Sequence, residues 1–123
     1  MNKILRAILD GLPPTANLLY RTARNSRRYK TREGKEWQEA AAATFAECYG
    51  RMAPYAGDVQ VEVTFLTPDK RRWDIDNRIK ALMDALMMGG VIKDDAQVKS
   101  LRVDRERGIK RALTVVSVRE WAE

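Results

Sequence analysis

The chain has 123 residues, 45% hydrophobic and 33% charged, with a formal net charge of +6; this excludes a disordered segment and fits one folded domain over residues 1–123. With no histidine and a lone cysteine, Cys48, it also excludes a disulfide framework, a Ser-His or Cys-His nucleophile and a zinc held by His or Cys. No apolar run approaches the roughly 20 residues that span a bilayer, and Arg6 and Asp10 interrupt the apolar N-terminal patch, so neither a membrane segment nor a secretory signal is expected and the compartment is read as cytoplasmic.

From the N-terminus, Lys3 to Leu9 alternates loosely and predicts a short strand. Residues 10–30 carry Pro13, Pro14, Asn17 and many polar side chains, and read as a loop. Thr31 to Tyr49 is alanine-rich, with Trp37, Ala41, Phe45 and Cys48 at helical spacing, which predicts a helix despite Gly34. Asp58 to Leu66 is the clearest element: Val59, Val61, Val63 and Phe65 alternate with Gln60, Glu62 and Thr64, the pattern of a half-buried strand. A basic loop leads to a second helix over Asp76–Met88, with Ile75, Ile79, Leu82 and Leu86 forming its apolar stripe and Gly89 and Gly90 ending it. Val98–Glu106 and Ala112–Glu120 read as two further strands joined around Gly108. The order β-α-β-α-β-β predicts an α+β domain with a small mixed or antiparallel sheet. Met83, Met87 and Met88 flank the stripe; core filling is the expected role, and such surface also suits a subunit interface.

Against the positive charge of the whole, five aspartates lie between Lys70 and Val98. An extended approach to the second helix would point Asp74 and Asp76 to one side. Lys80 lies four residues after Asp76, on the same helical face, and Asp94 and Asp95 occupy the turn before the next strand. Carboxylates brought together repel unless a cation sits between them, and an all-oxygen set suits Mg2+ or Mn2+. Such an ion can activate water at a phosphodiester while a lysine stabilises developing charge. Each feature also has a plain reading: Asp76 with Asn77 could cap the helix, Asp76 could pair with Lys80, and Asp94-Asp95 could be turn chemistry.

Together, "DIDNRIKALMDAL" and "GGVIKDDAQV" resemble the signature of the RusA-type Holliday-junction resolvases, with the spacing kept from Asp74 to Val98. "LPPTANLLYR" is similar to the proline-proline segment after that family's first strand. The resemblance implies a homodimeric, Mg2+-dependent, structure-selective endonuclease that cuts four-way DNA junctions in recombination and repair. It implies catalytic and metal-binding carboxylates at Asp74, Asp76 and Asp95, an accessory acid at Asp94 and a functional lysine at Lys80. Asn77 belongs to the motif and is expected to position Asp76 or a water near the DNA. Trp73 stands where the family has another basic residue.

Arg21, Arg24, Arg27, Arg28, Lys30 and Arg32 occur with no acid among them and with Tyr20 and Tyr29 interleaved. With Lys70, Arg71 and Arg72 beside the carboxylates, they predict a groove that tracks phosphates and reads the shape of branched DNA rather than its sequence. The rival class is a non-catalytic junction-binding accessory protein of phage or mobile-element origin, which would bind without Mg2+ and cut nothing. A third reading makes the acids salt-bridge partners of Arg71, Arg72 and Arg78.

Overall fold

The computed structural model describes residues 2–68, 73–108 and 110–122. Strand β1 (Lys3–Asp10) is followed by a single helical turn, α1 (Ala16–Leu19), and a short ribbon of β2 (Tyr20–Thr22) and β3 (Arg28–Lys30). Helix α2 (Arg32–Tyr49) leads to β4 (Val59–Thr67), after which a 3-10 turn (Asp76–Arg78) runs into α3 (Ile79–Met88). A second 3-10 turn (Asp95–Gln97) opens β5 (Val98–Arg107), and β6 (Leu113–Glu120) completes the order.

The main sheet runs β1-β6-β4-β5, with β4 and β5 parallel and the other pairs antiparallel, so it is mixed. The parallel pair follows from the crossover: α3 carries the chain back along the sheet, so β5 must start again beside the beginning of β4, Val59 opposite Val98. Alternation decides which face is buried. Val59, Val61, Val63 and Phe65 are at most 1% exposed, and they share one core with Phe45 and Tyr49 of α2 and Leu82 and Leu86 of α3. The two helices approach so closely that a Cβ on Gly89 would stand 2.7 Å from the Ala42 carbonyl oxygen.

Both long helices and all four long strands lie where the sequence predicts them, within a residue or two, except that α3 begins at Ile79, three residues late, behind the 3-10 turn of Asp76–Arg78. Residues 10–30 are a correction to the expected loop. Thr15 accepts from the Leu18 N–H and nucleates α1, while the Asn25 side chain accepts from Arg27 N–H and Ser26 adopts φ 64°, folding the arginine-rich segment into a hairpin. Cys48 is exposed; Gln38 and Tyr49 complete the buried face of α2 instead. Ile75 lies before the helix and is exposed, so the α3 stripe begins at Ile79. Trp121 is half-buried and its N–H reaches the Asp58 carbonyl. Among the described residues, no helix is long and apolar enough to cross a membrane.

Candidate active site

The parallel crossover β4–α3–β5 carries every acid of the motif. On its first arm, Trp73 is fixed against the sheet: its ring meets Phe65 edge-on at 5.4 Å, and its carbonyl accepts from Arg105 of β5. The guanidiniums of Arg78 and Arg105 lie 4.9 and 5.2 Å from the ring centre. Arg78 also donates to the Pro13 carbonyl at 2.6 Å, which docks the proline pair against the turn bearing Asp76. Burial lowers the Arg78 pKa below its usual value, and its buried Nε has no acceptor among the described residues.

Asp74 and Asp76 are exposed just beyond this anchor. Ile75 between them is helical (φ −68°, ψ −32°), which corrects the expected extended approach; strand alternation does not set the two side chains. The plain readings of Asp76 also fall away. No side-chain hydrogen bond caps the 3-10 turn or α3, and among the described residues neither Asp74 nor Asp76 has an ion-pair or hydrogen-bond partner. Asn77 is half-buried in the same turn.

The second arm is tied down differently. Asp94 accepts from the Ala96 N–H at 2.9 Å, and Gln97 closes a capping box by accepting from the Asp94 N–H at 3.1 Å and the Lys93 N–H at 2.8 Å. The Gln97 amide also donates to the Tyr55 and Gly57 carbonyls at 2.7 and 2.8 Å. The Ala96 N–H, and then a hydrogen bond with the Asp95 side chain, hold the Asp94 carboxyl below its usual range. Asp94 is therefore a cap as well as an acid.

Lys80 sits between the arms. It pairs with Asp84 at 3.3 Å rather than with Asp76. The Asp84 contact and charge hold the ammonium above its usual range; burial opposes this, and Tyr20 and Asp95 add lesser upward effects. Asp95 is thus within electrostatic reach of Lys80. The structure pairs Lys80 with Asp84 and sets Asp94 and Asp95 side by side in one turn. Among the described residues it gathers no group of three or more acids or thiols close enough to hold a metal ion, so Asp74, Asp76 and Asp95 do not form one such cluster. In kind the donors fit a hard cation, since all are carboxylates and two lack partners. The second basic segment of the expected groove, Lys70, Arg71 and Arg72, lies outside the described residues.

Comparison with known proteins matches residues 10–119 to the endodeoxyribonuclease RusA family. The chain belongs to the RusA family. It is 35% identical over 91 residues to the crossover junction endodeoxyribonuclease RusA of Escherichia coli K12, covering 74% of each chain. It is 37% identical over 93 residues to the phage 82 protein of the same name, again covering 74% of each. For the Aquifex aeolicus relative the figures are 30% over 88 residues, 71% of this chain and 68% of that one.

In this RusA-family chain the ribbon arginines divide by environment. Arg21, Arg24, Arg27 and Arg28 are exposed, and Arg28 lies 4.3 Å from the centre of the Tyr20 ring. Lys30 turns inward and donates to the buried Gln38 side chain at 2.7 Å; Gln38 in turn donates to the Ala81 carbonyl of α3. Arg32 pairs with Glu36. Sequence reasoning gives no role to Gln38 or Gln97, counts Tyr20 only among the aromatics of the basic segment, and does not foresee Asp84 as the partner of Lys80. A fixed Gln two residues after Asp95 and a polar residue on the apolar face of α2 were the available signals.

Proposed function

We propose that this chain is a divalent-metal-dependent endonuclease that resolves four-way DNA junctions, acting as a homodimer in recombination and repair. The observation that carries the reading is a pair of carboxylates, Asp74 and Asp76, held at the end of a braced arm with no structural partner among the described residues. Exposed carboxylates that no structural contact uses are free to bind a hard cation. The relatives named for crossover-junction cleavage supply the substrate class.

Asp74, Asp76 and Asp95 would hold the metal, with Asp94 alongside; Mg2+ suits the donors best, and Mn2+ is the natural substitute. When bound, the ion supplies Lewis-acid activation of water and neutralises charge at the phosphodiester. The rest falls to the chain itself. Lys80, held in place by Asp84, stabilises the negative charge that builds on the phosphoryl oxygens as water adds and the alkoxide departs. Asn77 orients the Asp76 arm. Arg21, Arg24, Arg27 and Arg28 of the ribbon neutralise backbone phosphates, joined by Lys70, Arg71 and Arg72, so affinity should fall steeply with salt. Two subunits would meet the two-fold symmetry of a junction with two such sites.

One observation favours the second reading, a junction-binding protein without catalysis: three acids are not gathered into a cluster among the described residues. A synthetic four-way junction incubated with protein, with Mg2+ or with EDTA, decides. Paired nicks that require Mg2+ and vanish in Asp76→Asn, with junction binding retained, are expected. Binding without cutting in any divalent ion would overturn the catalytic reading.

A further inference from the structure

The ribbon and α3 meet through two side-chain contacts that the catalytic reading does not use. Tyr20 and Lys30 stand directly opposite each other in the β2–β3 ladder and so share a face of the ribbon. The Tyr20 hydroxyl donates to Asp84 Oδ2 at 3.5 Å, and Asp84 Oδ1 lies 3.3 Å from Lys80 Nζ. Lys30 reaches the same helix through Gln38 and the Ala81 carbonyl. The ribbon also carries the exposed arginines, and the Arg28 guanidinium lies 4.3 Å from the centre of the Tyr20 ring.

Helix stability does not account for Asp84. Its side chain is 13% exposed, whereas that of Lys80 is 54% exposed. Taking a carboxylate out of water is costly unless it is paired. Moreover, lysine followed four residues later by an acid is the weaker order for such a helical pair. A largely buried acid that grips an exposed lysine, and is itself gripped from the DNA-facing ribbon, serves to aim that lysine.

We propose that Asp84 is a positioning residue for Lys80 and that Tyr20 sets Asp84, so that the basic ribbon and the catalytic lysine move as one coupled unit. This rests on the catalytic role of Lys80 given above. Phosphate engagement by Arg28 would then be felt at Lys80 through the Tyr20 ring and hydroxyl.

The test uses the full chain and single-turnover cleavage of a synthetic four-way junction in Mg2+, with junction affinity measured in EDTA and folding followed by thermal melting. Asp84→Asn should slow cleavage about 10–100-fold, the usual loss when a supporting contact is removed from a site, with affinity unchanged. Tyr20→Phe, which keeps the ring under Arg28, should give a smaller loss of the same kind. Adding Asp84→Asn to Lys80→Met should slow cleavage no further, because the two act through one group. The alkaline limb of the pH–rate profile should also move to lower pH in Asp84→Asn, since Lys80 loses the partner that raises its pKa while Tyr20 and Asp95 still face it. Wild-type cleavage by Lys80→Met would overturn the catalytic reading beneath the proposal. A slow Lys80→Met enzyme with wild-type cleavage by Asp84→Asn, or with losses that multiply in the double variant, would overturn the proposal alone. If Asp84→Asn does not fold, Tyr20→Phe carries the same comparisons.

Discussion

The two acidic arms of the crossover are built on opposite principles. The Asp94–Asp95 arm is a closed turn: Gln97 makes four hydrogen bonds, and the Asp94 carboxylate is spent partly on capping. The Asp74–Asp76 arm is held one residue away from its acids, by Trp73 packed against Phe65 and contacted by two arginines, and leaves both carboxylates without partners among the described residues. One arm is finished by the protein. The other is poised for something else to finish it, and a shared cation is the simplest agent that would draw the two together.

The largest effects should come from the acids with least structural work. Asp76→Asn and Asp95→Asn should each lower the single-turnover cleavage rate about a thousandfold or more, the several kcal/mol expected of a lost metal ligand. Thermal melting should leave Asp76→Asn close to the parent. Asp94→Asn breaks the symmetry usefully, because asparagine caps as well as aspartate. It should keep the turn and lose much less activity than Asp95→Asn; equal losses would make Asp94 a full ligand.

Next in size is the brace of the closed arm. Gln97→Ala removes four hydrogen bonds, each contributing about 0.5–1.5 kcal/mol net, and should cost about 2–4 kcal/mol of stability in chemical denaturation. It should also raise the Mg2+ concentration needed for half-maximal cutting, because Asp95 loses its fixed placement. Stability unchanged within 0.5 kcal/mol or so, the scatter of a neutral surface change, would show that the Tyr55 and Gly57 carbonyls hold the turn no better than water does. For the open arm, Arg78→Met should cost about 1–3 kcal/mol by losing the Pro13 carbonyl contact and the Trp73 face, and should loosen the proline segment, seen as faster amide exchange at its neighbours Leu12 and Thr15.

How much of this was legible follows the range of each interaction. The β4 alternation and the α3 stripe from Ile79 to Leu86 are set by neighbours within a few residues, and both were read correctly from periodicity. The spacing from Asp74 to Val98 fixed the family for the same reason. The ribbon was missed because strands of three residues are too short to show a period, and because its turn depends on Asn25 and Ser26 rather than on glycine. Gln97 was invisible as a hub since its acceptors, Tyr55 and Gly57, lie some forty residues upstream. The hold of Tyr20 on Asp84 spans 64 residues. Ile75 misled, because a residue at helical spacing can stand just before the helix and face water.

The smallest prediction concerns pH, and it separates the arms once more. Asp94 has its folded-state carboxyl below the usual value of 3.8, chiefly through the Ala96 N–H. A depressed carboxylate contributes stability that is present above the unfolded pKa and is lost as pH falls through the folded pKa. The closed turn should therefore loosen as the medium is taken from about pH 5 to below the usual aspartate range near 4, with faster exchange of the Ala96 amide than the acid-corrected intrinsic rate allows. Asp94→Asn, whose cap carries no charge, should remove that dependence. Exchange at residues 79–82 of α3 reports on the other arm in the same experiment, and it should stay flat over the range, because no side chain caps that helix. A parallel acid response at both places would mean that the arms are already joined in the metal-free protein.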